Sequence, residues 1–180
     1  MALSDLPTHL SKAEKRGVFA TDSGWETDSV GNDNPDAQRE VLTAIGNLAT
    51  KLGPAIVKSI NWKAGSGAYT KAAGGTIGLE FVFNEEVTGF SNTTAPLTNS
   101  ASASRNVTLE FTDVTDNIVT FAKTFPANTA SLDVADVLGI SNTDVLTLNG
   151  DTILGFGGGS SSLDISAIDS SFFPSGITIG

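Results

Sequence analysis

One short segment, Thr76–Phe83, constrains the fold of this chain more than any other part of its sequence. Its large apolar side chains fall on alternate residues, namely Ile77, Leu79, Phe81 and Phe83. A period of two residues places them on one face of an extended strand, whereas a helix would spread them around its surface. The segment therefore predicts a β-strand that buries one face in a hydrophobic core.

The same alternation recurs before and after this segment. An earlier strand is predicted at Ile56–Trp62, and two later strands are predicted at residues 107–111 and 119–125. Asp116-Asn117 lies between the two later strands, so we expect it at the tip of a hairpin. The Ser-, Thr- and Asn-rich stretch Ser91–Ser104 is predicted to be a loop.

The last third of the chain predicts shorter elements. Ser131–Leu138 has the pattern of a short helical turn, and Leu163–Ile168 is the last predicted strand. Asn149-Gly150 is a strong hairpin signal between short strands at Val145–Leu148 and Thr152–Leu154. About seven strands at this spacing are typical of an antiparallel β-sandwich. We therefore expect a mainly β fold, with the sandwich spanning residues 55–168.

Both ends of the chain are expected to lie outside the sandwich. Residues 1–34 show no convincing periodicity, which would be unusual inside a compact domain, so they predict an irregular N-terminal arm. The arm would become ordered against the chain's own sandwich or against a neighbouring subunit. Residues 169–180 predict an apolar C-terminal tail that contains Phe172 and Phe173.

Residues 35–54 are predicted to pack on the domain as a helix or a strand. Asn34 can cap a helix, Pro35 suits its first position, and Gly53-Pro54 can end it. Several β-branched residues lower the helix propensity of the same segment. The alternative is an extended strand at Val41–Ile45.

Composition and charge narrow the function classes. The chain has 180 residues, of which 39% are hydrophobic and 17% charged, as in a globular protein. The net charge is −10, and residues 61–180 carry twelve acidic and four basic side chains, a net −8. This charge argues against a nucleic-acid partner. The sequence shows neither an apolar run of membrane-spanning length nor a secretory signal, so we expect no membrane partner.

The residues that could carry chemistry do not form a recognisable site. His9 is the single histidine and lies in the arm, which is a poor platform for catalysis. Seven acidic residues are predicted at strand ends and in turns, and their spacing is not that of a calcium-binding loop. These residues are Glu85, Glu86, Asp113, Asp116, Asp133, Asp136 and Asp151. We interpret them as solvated turn residues, with a calcium site between loops as the alternative. Gly155–Gly159 lacks the Lys-Ser/Thr of a phosphate loop. The sequence predicts no catalytic residue, cofactor or metal, and hence no enzyme.

The arm contains the residues that we expect to make contacts with a partner. A cationic cluster at Lys12, Lys15 and Arg16 precedes the aromatic residues Phe19 and Trp25. An acidic partner, such as the sandwich of a sister subunit, would attract this cluster. Together with Phe172 and Phe173 of the tail, these residues are the predicted assembly contacts.

Two sets of residues resemble known proteins. Phe83-Asn-Glu-Glu-Val-Thr-Gly89, with Leu146–Ile153 and Ser162–Ser166, resembles bacterial Ig-like domains from about residue 55 to 168. Lys15–Trp25 is similar to the opening of small virion structural proteins of tailed, marine-type phages. Gly31–Asp36 is more acidic and Asn-rich than such an arm would be, which leaves the path of the arm open.

The resemblance implies a non-enzymatic structural protein of a phage particle, assembled in the host cytoplasm and located in the virion. We expect a capsid decoration (cement) protein with an Ig-like sandwich, whose partners are the major capsid protein or other virion proteins. Self-association in a multi-copy assembly would strengthen weak individual contacts. One alternative is a tail, neck or fibre component, and a second is an extracellular adhesion module that binds sugar or calcium.

Overall fold

The computed structural model describes residues 18–27, 40–46, 48, 54–155, 165–166 and 168–180. Within these ranges the chain is mainly β, and every pairing between named strands is antiparallel. The strands are β1 (Val18–Ala20), β2 (Gly24–Thr27), β3 (Glu40–Ala44), β4 (Val57–Trp62), β5 (Gly75–Phe83), β6 (Val87–Thr88), β7 (Thr94–Asn99), β8 (Val107–Thr115), β9 (Ile118–Phe125), β10 (Val137–Gly139), β11 (Leu154–Gly155) and β12 (Ile177–Thr178). Short 3-10 turns lie at Ser66–Ala68, Ala103–Arg105 and Ser170–Phe172.

A curled seven-stranded sheet forms the body, in the order β12-β10-β7-β8-β9-β5-β4. Strand β5 lies between β4 and β9, and it pairs with β9 from Gly75–Phe125 to Val82–Ile118. Thr115 of β8 pairs with Ile118 of β9, so Asp116-Asn117 is the two-residue tip of their hairpin. The mainly β prediction, the strand at Thr76–Phe83 and this hairpin are all confirmed.

The sheet curls around one main hydrophobic core. The predicted inward face of β5 is buried there, since Ile77, Leu79 and Phe81 are each 0% exposed. Phe81 meets Phe121 of β9 edge to face, with ring centroids 5.2 Å apart. Burying one such side chain contributes about 1.5–3 kcal/mol. The central strands therefore hold the most stabilising part of the fold.

A short ribbon of two strands, β6 and β11, adds to the same core. Val87 pairs with Gly155, and Thr88 pairs with Leu154. Val87 and Ile153 are buried against the main core together with residues of the large sheet. This arrangement of a curled sheet with a second, smaller layer is consistent with a β-sandwich.

A separate three-stranded sheet, β1-β2-β3, carries the N-terminal part of the described chain. Its own small core consists of Val18, Ala20, Trp25 and Leu48. The irregular arm predicted for residues 1–34 is therefore wrong over residues 18–27, which form β1 and β2. Strands of three and four residues are too short for alternation to show, and all three residues of β1 are buried.

The predicted helix over residues 35–52 is wrong where β3 lies, and the extended alternative at Val41–Ile45 corresponds to that strand. Val41 pairs with Glu26, and Thr43 pairs with Trp25. Pairing with β2 outweighs the capping signals, because β-branched residues suit a strand better than a helix. Leu48 has helical geometry, and the rest of the predicted helix lies largely outside the described residues.

Strand β7 occupies part of the predicted loop Ser91–Ser104, so the loop prediction is wrong over Thr94–Asn99. Ala95, Leu97 and Asn99 alternate as buried residues. The sequence did not predict this strand because it contains Pro96, and proline is rare in central strands. It is tolerated because β10 pairs with β7 only at Thr98 and Asn99, which leaves Pro96 at an edge.

Two predictions for the last third of the chain need correction. Ser131–Leu138 does not form the predicted helical turn. A β-turn precedes β10 instead, and in it the Asp136 N–H donates to the Asp133 carbonyl. Ala135 has a φ of 69°, which a helix does not allow. The Asn149-Gly150 turn is present, but Thr147 bridges to Thr94, and β11 pairs with β6, so the flanking segments do not form a hairpin.

The C-terminal tail is part of the body. β12 pairs with β10 in the large sheet, and Ile179 is buried in the main core. The described residues of the predicted strand Leu163–Ile168 are not in a strand, and the others lie outside the described residues. The compact body therefore extends to residue 180 rather than ending at 168.

Candidate functional site

Asn84 joins the N-terminal sheet to the body. Its carbonyl accepts a hydrogen bond from the Ala20 N–H at 3.0 Å, and its side-chain Oδ1 accepts one from the Ile56 N–H at 2.7 Å. Its own N–H donates to the Ile56 carbonyl at 3.1 Å. One residue after the end of β5 thus connects three segments of the chain, which gives this asparagine a structural role.

Glu85 is buried beside this junction. It is 0% exposed and forms a parallel bridge with Ala20. Its carboxylate lies against Gly155, where an added Cβ would come within 2.9 Å of the Glu85 Cδ. The prediction that Glu85 is a solvated turn residue is wrong, because its carboxylate fills the space that a glycine on β11 leaves.

The predicted assembly contacts of the arm fall in two groups. Lys12, Lys15 and Arg16 lie outside the described residues. Phe19 and Trp25 are inside the chain, at 0% and 1% exposure. The structure uses these two aromatic side chains for its own packing, so they offer no exposed surface to a partner in this conformation.

The aromatic residues of the tail are partly exposed. Phe172 ends a 3-10 turn, and Phe173 packs against the main core. The Trp62 indole N–H donates to the Ser175 carbonyl at 2.7 Å, which fixes the tail against β4. Only part of each phenylalanine ring is therefore available to another molecule.

Asp151 organises the loop that connects β6 to β7. Its Oδ2 accepts hydrogen bonds from the backbone N–H groups of Ser91, Asn92 and Thr93 at 2.7–2.8 Å, and from the Thr93 hydroxyl at 2.7 Å. Its Oδ1 accepts one from the Asn92 Nδ2 at 3.2 Å. Asp151 was predicted to be a solvated turn residue, which is wrong, because N–H and O–H groups of the protein donate the hydrogen bonds that water would otherwise make to its carboxylate.

These donors determine the protonation of Asp151. Burial raises the pKa of its carboxyl group, but the hydrogen bonds from the Thr93 hydroxyl and the three amides lower it by more. The net pKa lies well below the usual range, so the group stays ionised. With its lone pairs directed at protein donors, this carboxylate is a poor ligand for calcium.

The ordered loop borders an open cleft of about 480 Å³. The residues that line it include Asn92 and Asn149, and also Glu110 and Phe111 of β8. The Asn149 Nδ2 donates to the Asn92 carbonyl at 2.7 Å, which ties the Asn-Gly turn to the loop. The sequence did not reveal this cleft, because the partners of Asp151 lie 58–60 residues before it.

A second charged cluster holds the C-terminal end of the body. Asp136 is 1% exposed and accepts hydrogen bonds from the Arg105 Nε at 2.9 Å and Nη2 at 2.6 Å. Lys71 Nζ lies 2.7 Å from Asp133 Oδ1. The Ile179 N–H donates to the Asp136 carbonyl, so the cluster anchors the last strand.

The Arg105 hydrogen bonds hold the pKa of the Asp136 carboxyl well below its usual range, against the opposing effect of burial. Asp136 also raises the pKa of the Arg105 guanidinium, chiefly through the same hydrogen bonds. Asp136 was predicted to be a solvated turn residue, which is wrong. The geometry of this pair is that of a structural clamp.

The other candidate reactive groups are not brought together in the described residues. These residues contain no group of three or more His, Cys, Asp or Glu side chains placed to hold a metal ion. His9 and residues 156–159 of the glycine-rich stretch lie outside the described part of the chain. The cleft beside Asp151 is thus the best-defined candidate site in that part.

Comparison with known proteins identifies no relative. No family model, no curated protein and no solved structure matches the chain. Among the described residues, no helix is long and apolar enough to span a membrane.

Proposed function

We propose that this chain is a structural protein of a tailed-phage particle, a capsid decoration protein whose body is an Ig-like module. The observation that carries the proposal is the organisation of the N-terminal region. A small sheet with its own core follows the basic segment Lys12–Arg16 directly and is tied to the body at Asn84 and Glu85. Both residues belong to the stretch that resembles bacterial Ig-like domains.

The proposed attachment is electrostatic and repeated. Residues 12–16 hold three of the ten basic side chains of the chain, whereas residues 61–180 carry a net charge of −8. The basic segment precedes β1, whose residues are buried, so a contact made by this segment would be transmitted to the small sheet. The acidic body of a neighbouring copy, or an acidic patch on the capsid protein, is its proposed partner. Many copies on one particle would turn weak single contacts into stable decoration.

The exposed parts of Phe172 and Phe173 supply a smaller, apolar contribution to this contact. Phe19 and Trp25 act indirectly, because they hold the base from which the basic segment extends. The proposal therefore assigns direct contact to Lys12, Lys15 and Arg16 and a supporting role to the small sheet.

Locating the protein on particles tests this proposal. Particles made from a genome that encodes the chain are expected to contain it in many copies, visible by electron cryomicroscopy as density on the outer surface of the capsid. Density confined to the tail or neck would contradict decoration and support the tail alternative. Absence of the chain from purified particles would contradict any virion role.

A pair of matched variants tests the attachment. Particles that lack the protein are mixed with the purified chain at increasing salt, and the bound fraction is measured by sedimentation. Replacement of Lys12 and Lys15 by Ser is expected to weaken binding, most clearly at low salt. Replacement of Lys63 and Lys123 by Ser changes the net charge equally and is expected to leave binding nearly intact. Equal losses for the two variants would contradict attachment through the basic segment.

A further inference from the structure

The cleft beside the Asp151 loop has the features of a binding site that the proposed virion role does not use. Its volume of about 480 Å³ lies in the range of small-molecule sites. It is open to solvent, and its borders combine hydroxyl and amide groups with one aromatic ring. A site of this size and chemistry can hold a small polar ligand or one unit of a longer chain.

The polar side of the cleft is held in place before any ligand arrives. Asp151 fixes the backbone of Ser91, Asn92 and Thr93 through three hydrogen bonds of 2.7–2.8 Å, and the Thr93 hydroxyl donates a fourth at 2.7 Å. Asn149 adds a further bond to the Asn92 carbonyl at 2.7 Å. A binding surface that is already ordered loses less conformational entropy on binding. The loop therefore has the rigidity that a recognition site needs.

The lining of the cleft also includes an aromatic surface. Phe111 is partly exposed and stacks on Phe90, with ring centroids 5.9 Å apart and an angle of 20° between the rings. Phe121 meets Phe111 edge to face at 6.4 Å. The ring is thus supported from behind while it borders the cleft. A supported aromatic ring is the kind of surface on which the C–H face of a pyranose packs.

The polar groups around this ring match hydroxyl groups. The amide oxygen of Asn149 and the exposed carboxylate of Glu110 are acceptors, and the hydroxyls of Ser91 and Thr94 can donate or accept. Among the described residues that line the cleft there is no Lys or Arg, and residues 61–180 carry a net charge of −8. This charge disfavours phosphate, sulfate or carboxylate ligands.

We propose that this cleft binds a neutral saccharide, with the sugar ring against Phe111 and its hydroxyls at Glu110, Asn149 and the 91–94 loop. The ligand class is an uncharged hexose unit of an oligosaccharide or a surface polysaccharide. The residues that carry this proposal are different from Lys12, Lys15 and Arg16, to which the attachment proposal assigns direct contact.

The test applies the purified full-length protein to an array of neutral oligosaccharides, with sialylated and sulfated glycans on the same array. Binding to at least one neutral glycan is expected, and titration calorimetry with that glycan then gives its Kd. Glu110→Ala and Phe111→Leu are each expected to weaken binding about tenfold. No binding to any neutral glycan, or preferential binding to charged ones, would overturn the proposal.

Matched controls separate recognition from folding. Val114→Ala changes another partly buried apolar residue of β8 that packs against the same core and is not among the described residues that line the cleft. Thr108→Ala changes an exposed residue of β8 that does not border the cleft. Both are expected to keep the Kd within about twofold of the unmodified protein. If Phe111→Leu does not fold, Glu110→Ala still decides the question, because unchanged affinity in that exposed-site variant would contradict the proposal.

Discussion

The two hydrophobic cores of this chain differ sharply in size. The main core contains 24 buried hydrophobic residues drawn from the body, whereas the small core of the N-terminal sheet contains four among the described residues. The main core also has an interlocked set of phenylalanine rings around Phe90 and Phe121. Because stability follows buried apolar area, the body is expected to hold most of the free energy of unfolding.

The small sheet depends on the body more than the body depends on it. The Ala20–Asn84 hydrogen bond and the adjacent bridge to Glu85 link it to the body. The Trp25 indole N–H is buried without a hydrogen-bond partner among the described residues, which is unfavourable. The difference indicates two units of unequal stability, of which the smaller can open while the larger stays folded.

The largest expected effect comes from the centre of the body. Phe81→Ala removes a fully buried ring between β4 and β9 and leaves a cavity, so it should lower the free energy of unfolding by about 3–5 kcal/mol. Urea unfolding followed by tryptophan fluorescence measures this loss. Thr108→Ala, on the exposed face of β8, is the control and should change little. A loss below about 1 kcal/mol for Phe81→Ala would contradict the dominance of the main core.

Two glycines with similar backbone geometry provide a matched test of the loop region. Gly89 and Gly150 have φ values of 92° and 93°. An added Cβ at Gly89 would come within 2.1 Å of the Thr152 carbonyl oxygen, whereas Gly150 has open space. Gly150→Ala should therefore cost about 1–2 kcal/mol from backbone strain, and Gly89→Ala about 2–4 kcal/mol because the clash is added. Equal losses in urea unfolding would contradict the tight approach of β6 to residue 152.

The clamp at Asp136 predicts a pH dependence of the body. The pKa of Asp136 is lowered in the folded state, so its stabilising effect is complete above the ordinary carboxyl pKa of about 4 and is lost as the pH falls below it. Asp136→Asn should lower the melting temperature by about 3–10 °C at pH 7. The difference from the unmodified protein should shrink as the pH falls from about 5 to about 2.

The pKa of Asp151 is lowered as well. The stability of the Asp136→Asn protein should therefore still fall at low pH, because Asp151 is still present. Thermal unfolding of both proteins across this pH range is the measurement. Thr108→Ala is a control, because it changes an exposed residue of β8 and leaves every ionisable group in place, so its difference should be small and constant across the pH range. A difference for Asp136→Asn that grows at low pH would contradict an ionised carboxylate in the clamp.

The smallest effect on the body is expected from the small sheet. Trp25→Ala removes the largest member of the small core and should disrupt β1–β3, yet it should change the unfolding free energy of the body by less than about 1 kcal/mol. Urea unfolding followed by Trp62 fluorescence reports on the body, since Trp62 lies in β4. A loss as large as that of Phe81→Ala would show that the two cores unfold as one unit.

The sequence predicted the elements whose signals are local. β5 and the β8–β9 hairpin combine strict alternation with a recognisable turn, and each appears where it was expected. The Asn149-Gly150 turn was also predicted, and both residues have positive φ. Its strand partners were not, because Thr147 pairs with a residue more than 50 positions earlier.

In the candidate site, too, the sequence showed the local features but not the long-range contacts. Asp151 was visible only as an acidic turn residue, and nothing near it in the sequence indicates that it binds the amides of residues 91–93. β7 was missed for a related reason, since Pro96 weakens its local pattern while pairing with β8 makes it a strand. Phe19 and Trp25 were predicted as contacts with a partner, but their burial depends on a sheet that the sequence did not reveal.

Hydrogen exchange of the intact protein tests the unequal stability of the two units most directly. The amides of β5 and β9 are expected to exchange only through global unfolding, with the same urea dependence as the whole protein. The amides of β1–β3 are expected to exchange faster, with an opening free energy lower by several kcal/mol and little dependence on urea. Equal protection of the two sets, with the same urea dependence, would contradict the account and show one cooperative unit.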